Sequence, residues 1–135
     1  MSLEDNKTVV RRFLEEAIAQ GNLEVFDTSF AQGVAVHFSN TPPHDHASYR
    51  KLVQQVHQAM ADHSVTFLDL IAEEDTVAAR VSYTAAKHHG HLGKNPPTGQ
   101  SLQLESTFFF HFEQGKVTEM WVYYEGASFD FSPSL

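Results

Sequence analysis

Apolar residues recur along this chain first with a helical period and then with a period of two. Over residues 3–20, Val10, Phe13, Leu14, Ala17 and Ile18 fall on one side of a helix, with Arg11, Arg12, Glu15 and Glu16 elsewhere around the turn. Ser2, with Asp5 three residues on, offers an N-terminal cap, and Gly21 a C-terminal stop. Asn22 can cap a second, short helix whose apolar positions are Leu23, Phe26 and Phe30. Residues 34–38 read as a short strand carrying His37, and the prolines of Thr41-Pro42-Pro43-His44 mark a loop. A third helix fits residues 45–61, with Tyr49, Leu52, Val53, Val56 and Met60 on its apolar stripe and His57 close by.

Alternation then predicts strands over residues 63–72, 76–88, 101–112 and 116–125. Glu73-Glu74-Asp75 is a polar turn, residues 90–99 form a loop, and Glu113-Gln114-Gly115 closes a hairpin. The tail from residue 126 has no periodicity, although Phe129 and Phe131 could dock. Helices followed by an antiparallel meander predict an α+β class and one domain over residues 1–135. A curled sheet of that kind wraps its concave face around the helices and leaves a pocket between them.

The last strand carries the candidate chemistry. Val117, Glu119, Trp121, Tyr123 and Glu125 share one face; Thr118, Met120, Val122 and Tyr124 share the other. Both faces are substantially apolar, which predicts an inner strand, and carboxylates are rarely buried without a partner or a task. A two-residue turn at Gln114-Gly115 would put Phe108 and Phe110 beside Trp121 and Glu119. A three-residue turn with Gly115 as a bulge would instead bring Glu105, Thr107, Phe109 and His111 to the face of Glu119, Trp121 and Glu125. Both registers are compatible with the pattern. The second is preferred, because the other strands also offer a mixed polar and apolar face. It places Phe108, Phe110 and Phe112 on the opposite surface, as the apolar face of a homodimer.

Composition narrows the partners. The 135 residues carry a formal net charge of −8, which argues against nucleic acid or an anionic membrane surface. There are no cysteines, so disulfides and thiolate metal sites are excluded. No secretory leader pattern or bilayer-length apolar run stands out, and a cytoplasmic location is the expectation. Of nine histidines, His88, His89 and His91 with His37 invite a metal reading, but they lack recognised ligand spacing. One pocket-lip histidine, His88, and two solvated ones is the favoured reading, with no metal and no cofactor. Arg80 is expected either to pair with a carboxylate such as Glu105 or to lie on the outer surface.

Several segments together resemble the SnoaL-like polyketide cyclase family of the NTF2-like superfamily. They are Gly21-Asn22-Leu23-Glu24, His37, Ala72-Glu73-Glu74-Asp75 with Val77-Ala78-Ala79-Arg80, and His88-His89-Gly90. Pro97-Thr98-Gly99, Gly115-Lys116-Val117 and Glu119-Met120-Trp121 with Glu125 follow. The resemblance spans nearly the whole chain and implies a cone: three helices packed in a curved, mostly antiparallel sheet around an internal pocket, commonly as a dimer. It also implies an acid/base residue four positions after the tryptophan, here Glu125 where the family usually has Asp, assisted by a histidine on the preceding strand, here His111. The expected function is cofactor-independent acid/base chemistry on a small hydrophobic carbonyl compound, by aldol ring closure, isomerisation or dehydration. Trp121, His37, His88, Phe109, Glu105, Glu119 and Tyr49 are the expected substrate-binding residues. The alternative is a ligand-binding or accessory protein without turnover; an exposed Glu125 would favour it.

Overall fold

The computed structural model describes residues 2–39, 41–92 and 96–125. Helix α1 (Leu3–Arg12) opens on a capping box: Ser2 Oγ accepts from Asp5 N–H at 3.0 Å, and the Asp5 carboxylate accepts from Ser2 N–H at 3.2 Å. It runs on as a π-helical segment (Phe13–Ile18), which ends at Gly21 with φ +76°. That glycine is doubly required. A Cβ there would also sit 2.6 Å from the His57 ring. Asn22 caps α2 (Leu23–Ser29) and Asp45 caps α3 (His46–Ala59), each by accepting a backbone N–H.

The strands are β1 (Phe30–Phe38), β2 (Met60–Glu73), β3 (Thr76–His88), β4 (Leu102–Glu113) and β5 (Lys116–Glu125). They form one sheet in the order β1-β5-β4-β3-β2, antiparallel except where β1 runs parallel to β5. Phe30, expected on the second helix, begins β1 instead. The sheet curves around the helices, giving the α+β cone that the resemblance implied. At its centre Phe13 meets Phe30 at 4.7 Å and Phe110 at 6.1 Å, and Phe26 stacks on Phe30 at 4.6 Å. These rings are fully buried and form the core between α1, α2 and the sheet.

The β4–β5 hairpin combines features of both predicted registers. Gln114 and Gly115 form a two-residue turn with φ of 51° and 78°, and Glu113 pairs with Lys116. The bulge lies one step further on: Phe112 pairs with Val117, but His111 pairs with Glu119, so Thr118 is the extra residue. Beyond it Phe109 faces Trp121, Thr107 faces Tyr123 and Glu105 faces Glu125. The expected cross-strand set is therefore assembled, by a bulge at Thr118 and not at Gly115.

Which face turns inward is the reverse of the expectation. Phe108, Phe110 and Phe112 are buried under the helices, so they are not the outer face of a dimer. The physical reason lies in β4, where Leu102, Leu104, Ser106, Phe108, Phe110 and Phe112 alternate with Gln103, Glu105, Thr107, Phe109, His111 and Glu113. Burying the first set costs one hydroxyl; burying the second would strand several charged or strongly polar groups. Among the described residues no helix is long and apolar enough to cross a membrane. Phe129 and Phe131 lie outside the described residues.

Candidate functional site

Between the helices and the concave face lies a cavity of about 730 Å³, measured out to its open mouth. Leu14 and Ile18 of the π-helical segment and Tyr49, Leu52, Val53 and Val56 of α3 form its roof. The strands supply Phe38, Met60, Val65, Val81, Tyr83, Leu102, Leu104, Ser106, Phe108, Val122 and Tyr124, and Leu92 closes one side. The walls are almost wholly apolar; Ser106, Tyr49, Tyr83 and Tyr124 are the lining residues that carry a hydroxyl. Burial pushes the Tyr49 and Tyr83 phenols well above their ordinary value, so both are neutral hydrogen-bonding groups.

Tyr49 is the expected substrate-binding residue that the structure places in this wall. Glu125, His111, Trp121, Phe109, Glu105, Glu119 and His37 lie on the other side of the sheet. Glu125 and His111 are exposed there, and Phe109 is 40% exposed. The reason is the parity set at Thr118: Val117 and Met120 both point inward, so Glu119, Trp121, Tyr123 and Glu125 must point out. The outer residues form their own cluster. His37 Nε2 lies 2.7 Å from a Glu119 carboxylate oxygen, the His37 ring stacks on Trp121 at 5.2 Å, and His111 meets the edge of Trp121 at 4.7 Å. Arg80 bridges Asp69 and Glu105, both at 2.7 Å, on this same exposed surface, as its alternation suggested.

His88 is not at the lip. It is 1% exposed, with Nδ1 3.4 Å from the Thr98 hydroxyl, and it does not line the cavity. Its backbone exchanges hydrogen bonds with Gln100 and Gly99, which holds residues 98–100 against the end of β3. His89 and His91 are exposed. Among the described residues, no three histidine, aspartate or glutamate side chains are grouped to hold a metal ion.

Two groups that sequence reasoning passed over meet at the cavity wall. Tyr83 lines it, and its hydroxyl lies 2.5 Å from His63 Nδ1. His63 Nε2 lies 3.1 Å from the His57 carbonyl oxygen and 2.9 Å from that of Met60, at the C-terminal end of α3. Burial lowers the His63 pKa, opposed by those two carbonyls. The signal was the run Val77, Ala79, Val81, Tyr83, Ala85, whose alternation puts the phenol on the inward face of β3.

Known proteins agree with this architecture. AclR from Streptomyces galilaeus, a candidate hydroxylase, superposes with a TM-score of 0.80 at 24% identity, covering 92% of this chain and 77% of its own. TsrD from Streptomyces laurentii gives 0.81 at 18% identity, covering 93% of this chain and 91% of its own. IdmH from Streptomyces antibioticus, a candidate polyketide cyclase, gives 0.74 at 20% identity, covering 89% and 91%. At these identities the likeness is one of fold. No curated protein matches the sequence. The SnoaL-like polyketide cyclase model matches residues 8–129, nearly the full length, and the chain belongs to that family.

Proposed function

We propose that the cavity binds a small, largely apolar carbonyl compound and that the protein moves a proton within it. The outcome would be ring closure, isomerisation or dehydration, without a cofactor. The observation that carries this reading is the cavity itself, walled almost wholly by apolar side chains with Ser106 and three tyrosines among them, in a chain of this family. Such a wall favours a flat hydrophobic ligand and strengthens every polar contact made inside it. Charge developing on an enolate oxygen would meet fixed hydroxyl dipoles and little competing water.

A suitable probe is 2-tetralone, a bicyclic apolar ketone with acidic protons next to its carbonyl. The parent protein is expected to bind it, with NMR shift changes at the lining methyl groups, and to accelerate exchange of those protons in deuterium oxide. Leu104→Trp, which fills the cavity, is expected to abolish both. Binding that survives Leu104→Trp would place the site elsewhere and overturn the proposal.

The exposed positions of Glu125 and His111 favour a second reading, in which the cavity binds without turnover. Binding of 2-tetralone with no acceleration of exchange is the outcome that selects it.

A further inference from the structure

We infer that Tyr83 and His63 are the proton-transfer pair of this cavity, the Tyr83 oxygen receiving a proton from the bound compound as its own proton passes to His63 Nδ1. The inference rests on the proposed function and names the groups that would perform it.

The geometry assigns the roles. One nitrogen of His63 faces two carbonyl oxygens, those of His57 and Met60, at 3.1 and 2.9 Å. Carbonyls only accept, so Nε2 carries the hydrogen and Nδ1 of the neutral ring carries the lone pair. The hydroxyl 2.5 Å from Nδ1 must then be the donor, and Tyr83 points its proton at His63. That arrangement leaves the lone pairs of the Tyr83 oxygen for another donor. Tyr83 is a wall residue of the cavity, and in this proposal a bound molecule is that donor.

The balance of the step is simple. A carbon–hydrogen bond next to the substrate carbonyl breaks and a hydrogen–oxygen bond to Tyr83 forms. The former Tyr83 hydroxyl hydrogen becomes Nδ1–H of His63. The products are an enolate and an imidazolium, and the reverse transfer to a different atom completes an isomerisation. After ring closure, the same transfer delivers the proton to the new alkoxide.

The end of α3 is suited to hold that imidazolium. Its carbonyls are left without partners inside the helix, and the helix dipole places negative potential there. His63 thus accepts charge at a helix C-terminus, where a cation is favoured. At rest both groups are neutral, because burial lowers His63 and raises Tyr83. The other titratable groups facing His63 are His57, whose ring stacks on it at 5.2 Å from α3, and Asp62 beside it on β2. Tyr83, as a wall residue, would touch the substrate and be the catalytic residue; His63 would act through it, positioning and discharging it.

The test uses the whole protein and 2-tetralone. Tyr83→Phe keeps the ring and removes the oxygen. It is expected to bind the ketone within about twofold of the parent and to slow exchange by about 100-fold or more. His63→Gln is expected to do the same while retaining the phenol. In the parent, the exchange rate is expected to fall with acid as His63 gains its proton, below the ordinary histidine range, and the Tyr83→Phe residual rate is expected to lack that limb. A merely structural His63, capping α3, would lower thermal stability without splitting rate from affinity. Tyr83→Phe exchanging at the parent rate overturns the pair and leaves the proposed function standing. A parent that binds the ketone without accelerating exchange overturns the pair and leaves only binding, whereas a parent that binds none overturns the proposed function itself. Nitrogen-15 NMR of the parent histidines needs no variant: a neutral His63 with hydrogen on Nδ1 contradicts the inference.

Discussion

Glu125 and Glu105 face each other across the β4–β5 ladder on the outer surface of the sheet, and Glu105 is already engaged by Arg80 at 2.7 Å. Two like charges in cross-strand register repel weakly, and neither carboxylate lines the cavity. Glu125→Gln is therefore expected to leave 2-tetralone binding and exchange at parent levels and to alter stability by no more than about 0.5 kcal/mol. Lost exchange with intact binding would show that this carboxylate reaches the substrate, contrary to its placement here.

Phe109 and Phe110 are adjacent in sequence and opposite in fate, at 40% and 0% exposed. Phe110→Ala removes a ring packed against Phe13 and is expected to cost about 3–5 kcal/mol. Phe109→Ala is expected to cost less than about 1 kcal/mol. Urea denaturation of the two variants measures the difference, and equal losses would contradict the inward assignment of the even-numbered phenylalanines.

The outer sheet face carries several exposed apolar side chains. Phe109 lies opposite Trp121 and beside Tyr123, which is 49% exposed, while Ile71 nearer the far edge is 61% exposed. Apolar rings gathered on one open surface usually mark an interface. The expected outcome is a homodimer through this face, converted to monomer by Tyr123→Glu with cavity binding retained. Light scattering at micromolar concentration checks it, and a monomeric parent would refute it.

Asp27 and Arg50 join α2 to α3 through two hydrogen bonds of 2.8 and 3.1 Å. The bonds from Arg50 hold the Asp27 carboxyl below the ordinary aspartate range. A carboxylate held below its unfolded value stabilises the fold above about pH 4, and that contribution is lost as pH falls through the folded value. Both side chains are 40% exposed, so screening reduces the gain to about 0.5 kcal/mol or less. Asp27→Asn is expected to lower the thermal midpoint slightly at pH 7 and to match the parent near pH 2. A difference that persisted at pH 2 would assign the effect to packing.

Caps and periods were legible in the sequence because they are local. Ser2 and Asn22 begin helices where their side chains can accept a backbone N–H, the third helix starts where its apolar period does, and the four long strands lie where alternation starts and stops. The partners of Glu119, Trp121 and Glu125 were legible as well. Their orientation was not, because β5 is apolar on both faces and alternation has no sign. The sign was written one strand earlier, in the single serine of the β4 set Leu102 to Phe112 against the charges of its neighbours. Tyr83 and His63 were harder to foresee. Their contact is a diagonal one across β2 and β3, where His63 pairs with Ala85 and Val65 with Tyr83, so nothing in either strand's own pattern announces it.

The extra residue at Thr118 decides which side of β5 is the inside. Looped out as a bulge, it lets Val117 and Met120 both face the helices. Were Thr118 instead to pair with His111, with the turn at Gln114 and Gly115 kept, every side chain from Glu119 onward would change sides. Two carboxylates, an indole and a phenol would turn to the concave surface, and Met120, Val122 and Tyr124 would meet water. Losing Thr118 altogether would keep Glu119 opposite His111, so the strand tolerates a shorter chain here better than a straighter one.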